Sequence, residues 1–227
     1  MKIDIFSDYA CPFCYIGKRH LEQALAQFEH AEAVQVHHKA YELYPQASKQ
    51  VENSTQQRIE YKYGKTPQGA LNMIRGIEQM AQKAGIDMDY EQVQNTNMFD
   101  AHRLTKLAAQ LGKESEAVER LFRAYFIDHF ALSDHANLIQ VGEEIGIDGE
   151  RIRQMLDSDE FADAVRADEQ EAQQLGVQAV PYFRINGVPV AGSVPSAHFL
   201  NLLQELWTQE QQADIVAGMQ CGVDGCH

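Results

Sequence analysis

The sequence predicts an α/β fold in which a small sheet is interrupted by a long all-helical insertion. Three observations carry this reading. A strand runs into a helix near the start of the chain, every segment from about 46 to 175 has a helical period, and an Asn-Gly hairpin with one last helix follows. The divisions are residues 1–45, the helical insertion 46–175, residues 176–213, and a flexible tail at 214–227.

Ile3 and Ile5 alternate with other residue types up to the polar pair Ser7-Asp8, as in a strand buried on one face. A helix then begins with Cys11 and Cys14 in its first turn, and Ile16, Leu21, Ala24, Leu25 and Phe28 carry it to about His30. Pro12 suits a first turn, where a missing N–H costs nothing and its fixed φ is already helical. Residues Val34 to Leu43 form a second strand, ended by Pro45. His37 and His38 fall on opposite faces of it, so they do not share a metal.

Polar residues fill 46–57, and helices follow. Thr66-Pro67 supplies an N-cap and first position for a helix whose Ala70, Leu71, Ile74, Ile77, Met80, Ala81 and Ala84 share a face. Further helices carry Phe99, Leu104, Leu107, Ala108 and Leu111, then Val118, Leu121, Phe122, Tyr125 and Phe126. Ser133 is the expected cap of the next, and short helices near 149–157 and 159–175 close the set. Gly64, Gly85, Gly112, Gly146 and Gly176 each follow a helical run, as left-handed terminating residues do.

The sheet resumes as a hairpin, Val180 to Ile185 and Val188 to Ala191, about Asn186-Gly187. Pro181 and Pro189 cannot donate to a ladder, which puts them at a strand start and on an edge. The last helix runs from Ser196 to about Gln211.

The chemistry lies at the strand–helix junction. Free amides and the positive helix end should stabilise the Cys11 thiolate; the dipole alone, at up to about 2 kcal/mol, lowers a pKa by roughly one unit. Cysteines at such helix starts fall from about 8.5 to between about 3.5 and 7.5. Cys11 is therefore the expected nucleophile, and Cys14, three positions on, the resolving thiol that attacks a mixed disulfide and releases the partner. The competing readings of one C-x-x-C are half a zinc site or two core cysteines.

The chain of 227 residues carries a formal charge of −14, which argues against nucleic acid or an anionic membrane surface as partner. No apolar run approaches the roughly 18 residues that span a bilayer, and no basic-then-apolar leader precedes the first strand. The expected location is the cytoplasm, whose reducing poise suits a dithiol that reduces, isomerises or senses. Four cysteines in two close pairs, Cys11/Cys14 and Cys221/Cys226, do not form a structural disulfide framework.

Cys11-Pro12-Phe13-Cys14-Tyr15 at such a junction resembles the thioredoxin superfamily. Residues Ser7 to Gly17, Asn97, Phe99-Asp100-Ala101-His102-Arg103-Leu104, and Gly176-Val177-Gln178-Ala179-Val180-Pro181 are similar to the DsbA-like FrnE family, which sits beside the 2-hydroxychromene-2-carboxylate isomerases. The resemblance covers nearly the whole chain. It implies a thioredoxin fold with an inserted helical domain, and a cis peptide before Pro181 that leaves the carbonyl and N–H of Val180 to pair with an extended substrate. Pro12 and Phe13 would border that substrate. The isomerases and kappa-type glutathione transferases of this group usually have serine at the first cysteine position, so two cysteines favour thiol–disulfide chemistry. DsbA itself has histidine where Phe13 stands, which predicts a milder oxidant here.

His102 is expected either to face the groove over Cys11 or to be an ordinary helix-surface residue. The tail pair, with Gly222 and Gly225 between its cysteines, suits an intraloop disulfide that exchanges with Cys11; idle thiols, or a metal site with His227, are the alternatives. The expected partners are thiol or disulfide proteins and small thiols, with no resident cofactor or metal, glutathione as the candidate co-substrate, and a monomer or homodimer. The rival functions are a glutathione-dependent isomerase or transferase, and a metal- or redox-sensing module.

Overall fold

A computed structural model describes the backbone of residues 1–221 and the side chains of residues 1–212. Strand β1 (Lys2–Ser7) is central. It pairs in parallel with β2 (Gln35–Ala40) and antiparallel with β3 (Tyr182–Ile185), and β3 pairs with β4 (Val188–Ala191), giving the order β2-β1-β3-β4. Helix α1 (Pro12–Leu25) crosses from β1 to β2, and α9 (Ser196–Cys221) packs beside it. Ile3 and Ile5 of β1 join Leu21, Ala24, Phe183, Phe199 and Leu203 in one core, whereas Phe6 turns to the opposite face with Ala172 and Val177. That division follows the two-residue period of a strand.

Between β2 and β3 lie only helices: α2 (Thr55–Tyr63), α3 (Pro67–Lys83), α4 (Phe99–Gln110), α5 (Glu114–Phe126), α6 (His135–Glu144), α7 (Gly149–Leu156) and α8 (Ala162–Gln174). Thr66 caps α3 by accepting from Gly69 N at 3.1 Å, with Pro67 at the helix start. The five glycines read as terminators all have positive φ, between 60° and 82°. Asn186 and Gly187 are both left-handed, at φ 46° and 87°, as a two-residue hairpin turn requires. Pro189 lies on β4, the last strand in the sheet order, where a missing donor is harmless.

The helical segment does not build a wholly separate core. Tyr9, Cys11, Cys14, Tyr15 and Ile16 belong to the same apolar cluster as Phe122 and Phe126 of α5 and Ala101 and Leu104 of α4. Tyr15 stacks on Phe122 with ring centres 5.0 Å apart. One face of α1 thus serves the sheet and the other serves the helices, which fixes the cysteines between the two.

Several boundaries differ from expectation. Helix α1 stops at Leu25, and Phe28 reaches the sheet core from a turn whose amides bond to Leu25 and Ala24. Strand β2 is shorter than residues 34–43 because it pairs only where β1 faces it. Asp134, not Ser133, caps α6 by accepting from Ala136 N; the Ser133 hydroxyl instead donates to Lys49 O at 2.7 Å. Helix α9 continues past Gln211 to Cys221. Among the described residues the other side of β2 faces no strand, but its amides are used: His38 N donates to Glu114 and Ala40 N to Asp168.

Candidate active site

The β1–α1 loop is built around a buried carboxylate. Asp8 accepts from Ala10 N through Oδ1 at 3.1 Å and from Leu43 N through Oδ2 at 2.6 Å, tying the cysteine loop to the chain beyond β2. Cys11 N donates to Asp8 O at 3.0 Å. The loop is held in this way before the helix begins.

Cys11 is the N-cap of α1, one position before the turn expected to contain it, and Cys14 lies in the first turn. The expected convergence of helix amides on sulfur does not occur as drawn: Cys11 Sγ makes no capping hydrogen bond. Its contact is instead with Val180 O, toward which the thiol donates at 3.6 Å. Pro12 at the first helical position costs nothing, because a capping side chain accepts from the second or third amide, here Phe13 or Cys14.

Both cysteines are free and buried, Cys11 at 5% and Cys14 at 1% exposure. Burial holds the Cys14 thiol well above the usual range, and hydrogen bonding and charge from Cys11 push it further up. Cys11 is the slightly more exposed residue, and the Cys14 thiol stays protonated through neutral pH. Phe13, between them, is half-buried against the helical core.

The Val180–Pro181 peptide is cis. Pro181 O accepts from Gly192 N at 2.8 Å, and among the described residues no group accepts from the Val180 N–H. Gly17 lets this loop sit against α1: a Cβ there would lie 3.1 Å from Pro181 Cγ and 3.1 Å from Phe183 Cζ. A glycine in a helix interior costs about 1 kcal/mol against alanine, so its presence in the sequence is itself a signal of close packing.

His102 is on neither the groove nor the helix surface. It is buried, with Nε2 3.6 Å from Asp8 Oδ1 and its ring 5.0 Å from that of Tyr9, beneath the cysteine loop. Tyr9 in turn hydrogen-bonds Thr105, one turn further along α4, at 2.5 Å. The adjacent Arg103 has a structural post: Nη1 donates to Asp100 Oδ1 at 2.8 Å and Nε to Glu160 O at 2.8 Å, tying α4 to the segment after α7. In the sequence Asp8 marks only the end of a strand; its role as a buried acceptor depends on Leu43, far away in sequence, and no local pattern announces it.

Cys11, Cys14, Pro12, Phe13, Val180 and Pro181 are thus brought to one place, and His102 lies beneath it. Cys226 and the side chain of Cys221 lie outside the described residues. Among the described residues no three His, Cys, Asp or Glu side chains group as metal ligands do, and no helix is long and apolar enough to cross a membrane.

Residues 2–204 match the family described as DSBA-like thioredoxin domain. The chain belongs to that family. A probable DsbA oxidoreductase from Streptomyces coelicolor is 33% identical, with a TM-score of 0.87 over 92% of this chain and 90% of its own. The uncharacterized protein YwbO of Bacillus subtilis (strain 168) is 27% identical over 193 residues, 84% of this chain and 90% of YwbO. The cytosolic disulfide reductase DsbM from Pseudomonas aeruginosa, in a structure with GSH, has the same fold at 15% identity, with a TM-score of 0.60 over 95% of this chain and 99% of that one. The DSBA-like thioredoxin fold therefore extends over the sheet, the helical segment and the start of α9.

Proposed function

We propose that this DSBA-like protein is a cytoplasmic thiol–disulfide oxidoreductase or isomerase that acts through Cys11 and Cys14. The observation that carries the reading is the pairing of two free cysteines of unequal exposure at the start of α1, the outer one against the Val180 carbonyl. The family and the 33% identical probable DsbA oxidoreductase support the reaction class, and the fold shared with a cytosolic reductase supports the compartment and a small-thiol co-substrate.

The Cys11 thiol gives up its proton, and the thiolate attacks one sulfur of a substrate disulfide. The substrate S–S bond breaks, the departing sulfur takes a proton, and a mixed disulfide joins Cys11 to the substrate. Cys14 then loses its proton and attacks Cys11 Sγ, releasing the second substrate thiol and leaving a Cys11–Cys14 disulfide. The substrate has gained two electrons and two protons, and the protein has lost them. Two molecules of a small thiol such as glutathione, oxidised to their disulfide, restore the dithiol. Isomerisation uses the first step and its reversal.

Each neighbour has a part. Val180 O lies against Cys11 Sγ, and it and the Val180 N–H together offer an extended substrate a strand-like pair of hydrogen bonds. Pro12, Phe13 and Pro181 form the apolar border of that strand, and buried Asp8, bonded to Ala10 N and Leu43 N with His102 packed beside it, holds the loop from below. The raised pKa of Cys14 separates the roles: it does not compete for substrate, and it reacts once the mixed disulfide is beside it.

The test is insulin reduction and scrambled-ribonuclease reactivation by Cys11→Ser and Cys14→Ser, with alkylation of each cysteine followed by mass spectrometry. Cys11→Ser should abolish both activities, Cys14→Ser should trap mixed disulfides, and in the reduced protein Cys11 should alkylate before Cys14. Full turnover by Cys11→Ser would end the proposal.

A further inference from the structure

A cavity of about 630 Å³ opens between the chain after β2 and helix α2, lined by Tyr44, Ser48, Asn53, Arg58, Tyr61 and Asn95 among others. Its one half-buried cation has an unusual setting. The Arg58 guanidinium lies 5.1 Å over the Tyr44 ring and donates to Tyr90 Oη at 3.3 Å, and no carboxylate of the described residues lies within ion-pair distance. In a chain of net charge −14, where Lys18, Arg19, Lys39, Arg103, Arg120, Arg151 and Arg166 all pair with acids, an unpaired and partly desolvated guanidinium is an exception.

The remaining walls are mostly neutral hydrogen-bonding groups, with Glu52 the one carboxylate in the lining. Tyr61 stands at the cavity 95% exposed, its flat apolar face uncovered by the described residues. The cavity is linked to the cysteine loop through packing, although no residue of that loop lines it. Tyr44 follows Leu43, whose amide is held by Asp8, and Tyr90 belongs to the same buried cluster as Cys11 and Cys14. A cation in a cavity wall, with aromatic neighbours and amide side chains around it and no carboxylate among the described residues paired with it, suits recognition of a carboxylate on a short polar chain.

We propose that Arg58, backed by Tyr44 and Tyr90, binds a carboxylate of the disulfide substrate and so selects acidic thiol compounds or acidic peptide segments for Cys11. This rests on the redox reading of Cys11. The ligand extends from the sulfur at Cys11, along the Val180 strand edge, and places its anionic end in the cavity. Arg58 is a specificity residue, and it takes no part in the sulfur exchange.

The experiment compares Arg58→Met and Arg58→Lys with the parent chain, using glutathione disulfide, its tetramethyl ester and insulin as substrates. Arg58→Met should raise KM for glutathione disulfide about 10- to 100-fold, the loss of one charged hydrogen-bonded contact, with kcat nearly unchanged, and should leave the ester unaffected. Arg58→Lys should recover part of the affinity. An effect on insulin but not on glutathione disulfide would assign the carboxylate to acidic protein side chains; equal losses with acid and ester, or no change with any substrate, would overturn the proposal. Calorimetric titration of S-methylglutathione into Cys11→Ser/Cys14→Ser, with and without Arg58→Met, reads the same contact without turnover. Arg58-dependent binding there, with wild-type activity in Cys11→Ser, would sink the redox reading while sparing the site.

Discussion

Gly17→Ala tests whether the contact between α1 and the Val180–Pro181 loop matters to the site. In an exposed helix interior this change would stabilise by about 1 kcal/mol, because alanine loses less backbone freedom on folding. Here the new methyl would meet Pro181 Cγ and Phe183 Cζ, both at 3.1 Å. Ordinary carbon contacts lie at about 3.5–4.0 Å, so a neighbour must retreat by about 0.4 Å or more. Phe183 cannot readily do so: it is fully buried, T-packed on Phe199 at 4.7 Å, and registered opposite Ile5 in the sheet. Pro181 is the part that yields, and it carries Val180 with it. Overpacking of this kind costs about 1–3 kcal/mol, which exceeds or offsets the helical gain, so the net change is a destabilisation of between about 0 and 2 kcal/mol. If a displacement of 1 Å at a reacting centre costs about 100-fold, 0.4 Å costs about 6-fold in kcat/KM. Urea unfolding and insulin reduction measure the two quantities. A variant stabilised by the full helical increment with unchanged kcat/KM would show that the loop and α1 are not coupled as described.

Two further outcomes follow from buried charge. His38 is pushed down to about 3 by burial and by the neighbouring Lys18, Lys106 and His37, against 6.5 for the free group. The unfolded chain therefore binds a proton that the folded chain refuses; the associated stability is complete above pH 6.5, and it is lost as the pH falls toward 3. At pH 5 the loss is about 2 kcal/mol, and His38→Leu should flatten the pH 7-to-5 difference in unfolding free energy by that amount; identical pH dependence in the two proteins would contradict it. Arg103→Met should cost about 1–3 kcal/mol, because Asp100 keeps only Lys49 as its close cation and the Glu160 carbonyl loses its donor, while the specific activity of the folded fraction stays the same. A selective loss of activity without loss of stability would move Arg103 from the scaffold to the site.

The local signals read well where local physics decides. The β1–α1 junction, the Thr66-Pro67 start, the glycine stops and the Asn186-Gly187 turn each depend on the φ preferences or capping groups of a few adjacent residues, and each is present. The helix ends were harder: Phe28 continues the apolar pattern of α1 after the backbone has left the helix, because the sheet core accepts it from either conformation. Ser133 and Asp134 are both acceptable caps, and only the nearby Lys49 carbonyl draws the serine hydroxyl away. His102 illustrates a different limit. Its helix was legible, but the direction it faces depends on how α4 meets the β1–α1 loop, a contact between residues 8 and 102.

The amino-acid order alone determined the α/β class, the all-helical middle, and the two cysteines at the start of a helix, since these follow from periodicity and from the backbone preferences of neighbouring residues. Tertiary structure decided the rest. It set Val180 O against Cys11, buried Cys14 enough to keep it protonated, and left Arg58 beside a cavity without a carboxylate partner among the described residues. Desolvation and long-range pairing act across folded distances that no window of sequence contains, and on them depends how each of those side chains behaves.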